Sequence, residues 1–191
     1  AGLDWVASHH RSGVPAVVNM SLTGEFNQAE NDLVTKLVAE GVTVVDAAGN
    51  DSADACDSSP GSAGKAITVA ATDSGDQHAS FSNYGRCVDL YGPGVDIRSA
   101  SPFAASRLMS GTSMASPHVA GVAAMLLAAH RSWTPAQVTA RVLQLALAGK
   151  VGGSLGGSPN LLLNMAPAVL SLTPTVGGVA GGQTVKVTGQ R

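Results

Sequence analysis

Gly111-Thr-Ser-Met-Ala-Ser-Pro-His-Val-Ala-Gly121 sets one hydroxyl, that of Ser113, where a turn gives way to a long apolar segment. Residues 118–128 are almost wholly apolar, with Val119, Val122, Met125, Leu126 and Leu127 set among alanines. A helix of that composition has no polar face, which predicts burial on all sides. Pro117 suits helix entry, because a first-turn proline gives up no intrahelical hydrogen bond. Free N–H groups and the positive dipole end at a helix N-terminus favour negative charge developing beside Ser113, which makes it a candidate nucleophile on a rigid mount. A bilayer span takes about 20 consecutive apolar residues, so this shorter, interrupted run reads as a core helix.

Upstream, residues 3–12 read as a helix, Val14-Pro15 as a turn, and residues 16–20 as a strand expected at the centre of a sheet. Residues 27–40 place Leu33, Val34, Leu37 and Val38 on one side and Glu30, Asp32, Lys36 and Glu40 on the other, with Gly41 closing the helix. Residues 42–46 form the next strand. A strand-helix-strand run with a connection of crossover length indicates parallel pairing, hence an α/β fold. Further strands are expected at residues 66–71 and 87–91. Thr134-Pro-Ala-Gln137 is a capping box opening an outer helix that reaches about Leu147.

Residues 166–191 change character, with alternating Val169, Leu170 and Leu172, Gly177-Gly178, Gly181-Gly182 and Thr184-Val-Lys-Val-Thr188. They read as all-β, yet so short a piece cannot bury a sandwich core of its own. The whole chain has 191 residues, a net charge of −2 and 13% charged residues. No basic stripe or acidic block is present, so no nucleic-acid partner is expected, nor a membrane partner, and a monomer is. Spacing alone leaves Cys56 and Cys87 equally open to a bridge or to two free thiols.

Ser110 to Gly121, read as SGTSMASPHVAG, resembles the nucleophile motif of the subtilisin-like serine proteases, peptidase family S8. Four more segments follow in that family's order and spacing: Ala16-Val-Val-Asn-Met-Ser-Leu22, Ala47-Ala-Gly-Asn50, Ser80-Phe-Ser-Asn-Tyr-Gly85 and Gly92-Pro-Gly94. The proteinase K and aqualysin branch is the most similar in appearance. The resemblance implies a three-layer fold with a mostly parallel sheet, residues 1–165 being the C-terminal portion of the catalytic domain. It also implies an N-terminal part before Ala1 carrying the catalytic aspartate and a His-Gly-Thr-His motif. Residues 166–191 are similar to a linker and the opening of an immunoglobulin-like TIG domain.

A serine hydroxyl needs a base and oxyanion donors to act at neutral pH. The resemblance makes Ser113 the nucleophile and Asn50 the oxyanion donor beside the Ser113 N–H. An amide suits that task because it donates without titrating. None of the chain's histidines suits the missing base: His118 is taken as structural packing, and His9, His10, His78 and His130 as solvated surface. This chain alone is therefore expected to be inactive. A peptide or protein substrate would add as an extended strand along Ser21, Leu22 and Thr23. The family usually has glycine where Thr23 stands. Ala47, Ala48, Gly49 and Ser58 correspond to the lining of the primary pocket, whose small uncharged walls predict apolar or aromatic side chains before the cleaved bond.

In the same branch Cys56 and Cys87 form a disulfide, which implies a secreted, extracellular protein. Asp89 corresponds to a calcium carboxylate ligand, with the carbonyls of Gly64 and Ala66 beside it; calcium there would be structural, and catalysis needs no cofactor. Met114 is exposed to oxidation by its place next to Ser113. Three other readings are disfavoured. A pseudoprotease or binding module would keep the fold without a base. A sedolisin-type acid peptidase would want aspartate in place of Asn50, and an α/β-hydrolase would want Gly-x-Ser-x-Gly around the nucleophile.

Overall fold

The computed structural model describes residues 2–102 and 105–165, and the backbone of two strands further on. In chain order the elements are α1 (Gly2–His9), β1 (Ala16–Met20), β2 (Gly24–Glu25), α2 (Gln28–Ala39), β3 (Val42–Ala47), a 3-10 turn (Ala55–Asp57), β4 (Ser58–Ser59), β5 (Ile67–Thr72) and β6 (Leu90–Pro93). They continue with β7 (Ile97–Ser99), β8 (Arg107–Met109), α3 (Thr112–Ala129), α4 (Pro135–Leu145), β9 (Leu147–Ala148), β10 (Leu161–Leu162), β11 (Ser171–Thr173) and β12 (Lys186–Thr188).

A six-stranded sheet in the order β1-β3-β5-β6-β10-β9 forms the middle layer, parallel throughout except for the β9–β10 pair. Every residue of β3 and β5 is buried, which is why both are mostly apolar or small, without regular alternation, Asp46 of β3 being the charged exception. Residues 16–20 do form a strand, but among the described residues it is an edge and not the centre. Its composition reflects cover on both faces: Val17 packs toward α3, Ala16 and Val18 toward α2. Apolar side chains report covered faces and are silent about strand neighbours.

Alternation along β3 divides the core. Val45 joins Ile67, Val69 and Ala71 against Ala115, Val119, Ala123 and Leu127 of α3 and Val138 and Val142 of α4. Val42 and Val44 face the other way, against Val34 and Leu37 of α2, with Leu3 and Val6 of α1 beyond. The result is helix, sheet, helix. Asn27 caps α2 by accepting the Glu30 N–H at 3.3 Å, and Thr134 and Gln137 form the capping box at α4. α4 ends at Leu145, and Leu147–Ala148 turns into β9. The expected strand at 87–91 is found at Leu90–Pro93 instead.

The helix carrying Ser113 departs from expectation in two respects. It is not buried on all sides: Pro117, His118, Gly121, Ala124, Met125, Ala128 and Ala129 are exposed along it, while Ala115, Val119, Val122, Ala123 and Leu127 are buried. An all-apolar composition hides which side is covered. It also starts at Thr112, so Pro117 is an interior residue and not a first-turn one. Its 18 residues are long and apolar enough to cross a membrane by length and composition alone, contrary to the shorter run expected. Packing against β1, β3, β5 and β6 makes it the core helix of this domain.

Cys56 and Cys87 are joined, with Cα atoms 5.3 Å apart across a sequence separation of 31. The bond ties the loop after Asn50 to the segment leading into β6. On the chain-entropy model a loop of that size stabilises by about 3 to 4 kcal/mol. Beyond residue 165, β11 and β12 pair antiparallel with Leu172 opposite Val187. The glycine pairs on which the TIG resemblance rests lie outside the described residues.

Candidate active site

Gly111 ends the β8 side of the turn with φ +154° and ψ 159°, a conformation that only glycine adopts without strain. It therefore caps α3 with no side chain of its own. The cap is supplied from elsewhere: Asn50 Oδ1 accepts the Thr112 N–H at 2.8 Å and the Thr112 hydroxyl at 3.0 Å. Thr112 Oγ1 in turn accepts the Gly49 N–H at 3.1 Å, in a site with no solvent exposure at Thr112. Two donors on the oxygen fix which way the amide faces, and Nδ2 has no acceptor among the described residues. The Ser113 N–H also lacks an acceptor among the described residues. A point one Cβ out from Gly111 lies 3.6 Å from both Nδ2 and Oδ1 of Asn50 and 3.7 Å from Ser113 N, so the Asn50 amide and the Ser113 N–H border the same small space.

Ser113 and Ser21 hold each other. Ser113 Oγ donates to Ser21 O at 3.1 Å, and Ser21 Oγ donates to Ser113 O at 2.8 Å. The second bond exists because Pro117 has no N–H to offer the carbonyl four residues before it. An interior proline thus frees the Ser113 carbonyl for tethering to the end of β1. Asn19 extends the tether, donating from Nδ2 to Ser21 Oγ at 2.8 Å and accepting Ser116 Oγ at 2.6 Å.

Asn83 is a residue that sequence reasoning passed over within its own motif. It is buried, donates to Ala48 O at 3.0 Å, and accepts the N–H groups of Asp51 at 2.9 Å and Ala53 at 3.1 Å. Its own N–H donates to Gly49 O at 2.9 Å. One side chain and its backbone thereby clamp the loop on both sides of Asn50. Gly49 takes φ +109° there, and a Cβ on it would run into the Asn83 amide. The remaining candidate wall residues gather beside this loop. Ala47, Ala48 and Ser58 are buried, Ser21 and Leu22 are exposed, and Thr23 reaches across to Ala47 O at 3.2 Å. Met114 is half-buried next to Ser113.

No histidine approaches Ser113 Oγ. His118 Nδ1 donates to Met114 O at 2.8 Å on the exposed side of α3. His9 and His130 are stacked on Trp5 and Trp133, and His10 bonds Val14 O. His78 is not the solvated residue expected. It is half-buried edge-on to Tyr91, its Nδ1 has no partner, and burial lowers its pKa.

Two carboxylates lie under the site on the α2 side of the sheet. Asp46, on β3 four residues before Asn50, is fully buried, and neither of its oxygens is hydrogen-bonded. Thr68, its register partner on β5, gives its hydroxyl to Gly61 O at 3.2 Å. Burial is the main cause that pushes the Asp46 carboxyl well above the usual carboxylate range; the nearby Thr68 hydroxyl, although bonded to Gly61 O, works against the rise, and Asp89 and Glu30 add to it. Asp89 is also raised by burial, partly offset by the Thr68 N–H that its Oδ2 accepts at 2.8 Å. Asp89 is thus a half-buried carboxylate held by the Thr68 N–H, an oxygen donor of the kind calcium takes. No three His, Cys, Asp or Glu side chains gather as a metal cluster among the described residues.

Residues 2–166 match the model of the Subtilase family, Peptidase_S8. An extracellular serine proteinase of Thermus sp. (strain Rt41A) is 50% identical over 165 residues, 85% of this chain and 40% of that protein. Alkaline serine exoprotease A of Vibrio alginolyticus is 45% identical over 168 residues, 88% of this chain and 31% of the relative. The chain therefore spans less than half the length of these curated relatives. A cold adapted subtilisin-like serine proteinase of known crystal structure superposes with a TM-score of 0.81 at 44% identity, covering 85% of this chain and 58% of that one. With its parallel sheet, its Ser113 helix and a family match over residues 2–166, the chain belongs to the subtilase family.

Proposed function

We propose that the full-length protein is an extracellular serine endopeptidase that hydrolyses peptide bonds through an acyl-enzyme on Ser113. The aspartate and histidine that complete the site would come from residues outside these 191, and the 191-residue chain alone would be inactive. The observation that carries this reading is that the Asn50 amide, its oxygen already taken by Thr112, and the Ser113 N–H border one space at Gly111. In the reaction Ser113 Oγ releases its bond to Ser21 O, passes its proton to the base and attacks the substrate carbonyl. The oxyanion then collects both donors, which were oriented before the reaction and need no rearrangement as charge develops. Absence of any histidine at Ser113 among the described residues supports a base contributed from elsewhere.

Substrate would run as an added strand along Ser21, Leu22 and Thr23, with the side chain before the cut between that edge and Ala47–Gly49, above Ser58. Extracellular relatives and the Cys56–Cys87 bond support a secreted location. A calcium ion on Asp89 and the Gly64 and Ala66 carbonyls would stabilise the fold by offsetting a buried carboxylate, with no part in the chemistry. Residues 166–191 would open a TIG-type domain. The test is labelling of the full-length protein with a fluorophosphonate, Ser113→Ala being the control, together with peptide turnover by Asn50→Ala. Labelling confined to Ser113 and a loss on the order of 10² to 10³ in kcat are expected, a size carried over from the equivalent change in a subtilisin. Full turnover by Asn50→Ala would remove the oxyanion role.

A further inference from the structure

Thr23 spans the space between the two walls just described. Its hydroxyl donates to Ala47 O at 3.2 Å, while its Cγ2 stands 3.1 Å from where a Cβ on Gly49 would lie. One branch of the side chain is thus held by a hydrogen bond to the opposite wall and the other lies over the backbone of that same wall. A β-branched side chain is stiff about χ1, so turning it aside moves both branches together and gives up the bond. β2 pairs with β4 through Gly24 opposite Ser59 and Glu25 opposite Ser58, and the buried Ser58 hydroxyl donates to Ala55 O at 3.1 Å. Ser58 therefore offers no free polar group to a long side chain, and Thr23 leaves little depth for one.

We propose that Thr23 determines specificity by occupying the mouth of the primary pocket, so that the residue before the cleaved bond must be small: glycine, alanine or serine. This reverses the apolar or aromatic preference that small uncharged walls alone suggest, and it rests on the reading of Ser113 and of these walls given under Proposed function. A pocket's discrimination against added methylenes is roughly 10- to 200-fold each, so a side chain the size of phenylalanine should be disfavoured at least tenfold.

The experiment uses the full-length protein and two peptides that differ only in carrying alanine or phenylalanine before the cut, with kcat/KM measured for each. The parent is expected to favour alanine by at least roughly tenfold. Thr23→Gly should shift the phenylalanine-to-alanine ratio upward by about tenfold or more, and Thr23→Ala, gentler on the backbone, should shift it the same way by less. Fluorophosphonate labelling of Ser113 in each variant establishes that its site is folded. A parent that cleaves the phenylalanine peptide as well as the alanine one, or labelled variants whose ratio stays at the parental value, would overturn the assignment. Failure of the parent itself to label at Ser113 is a different result: it removes the peptidase reading, and the specificity role falls with it.

Discussion

Replacing Asp46 with valine should stabilise this protein, against the usual direction for a core substitution. The carboxyl lies on the face of β3 that also presents Val42 and Val44 to α2, with no exposure and neither oxygen within hydrogen-bond geometry of a described residue, the nearby Thr68 hydroxyl being bonded to Gly61 O instead. Leaving a buried polar group unsatisfied costs about 1 to 3 kcal/mol, and valine removes that cost at similar size. A second contribution depends on pH. Burial raises the folded pKa above the unfolded one, so the native state holds a proton that the unfolded chain releases. Stability from this group is then fully present below the ordinary carboxylate range, about pH 4, and is lost as pH rises toward the folded pKa. Across that window the advantage of Asp46→Val should grow by up to about 1.4 kcal/mol per pH unit. Near pH 4 only the first contribution operates, and at about 2 to 4 °C per kcal/mol the melting temperature should rise roughly 2 to 12 °C. The assay is thermal unfolding of the full-length protein from pH 4 to 8 at fixed calcium, in a Ser113→Ala background that prevents self-cleavage. Asp46→Asn, which cannot titrate but keeps unsatisfied polar atoms, should flatten the pH dependence without the gain at pH 4. A valine variant less stable than its parent throughout would refute the reasoning, because it would mean the carboxylate makes a favourable interaction.

Asn83→Ala should reduce both stability and turnover: it strands the Ala48 carbonyl and the Asp51 and Ala53 N–H groups, which points to about 2 to 4 kcal/mol by chemical denaturation. Because the loosened loop carries Asn50, kcat should fall by about tenfold or more with KM little changed, and a pure KM effect would contradict the clamp. Chelation of calcium should lower the melting temperature of the full-length protein, and Asp89→Asn should abolish most of that difference; indifference to the chelator would leave Asp89 as a half-buried carboxylate held by Thr68 alone.

Local signals made much of the fold legible. The amphipathic pattern of residues 27–40 and the Thr134–Gln137 capping box each report interactions within a few residues, and both helices appear where the sequence places them. What composition could not carry is which neighbour an apolar segment meets. Ala16–Met20 satisfies helices on both faces and still leaves an edge, and α3 is apolar all round while packing on only one side. Pro117 looked like a helix starter because prolines are common there; its place inside α3 depends on where Gly111 allows the helix to begin.

The site divides in the same way. Ser113 and Asn50 stand out as candidates in their motifs, but the residues that orient them do not, since their contribution is a contact at long sequence distance. Thr112 binds Asn50 from 62 positions away and Asn83 holds Ala48 from 35, and neither residue type marks itself as special in a string. The physical demand is clear once they are in place. An amide can stabilise an oxyanion only if its oxygen is already occupied, because a freely turning amide would present acceptor as often as donor. Two donors from Thr112 impose that choice from inside the buried end of α3, so the direction of the Asn50 amide is a property of the core and not of the loop that carries it.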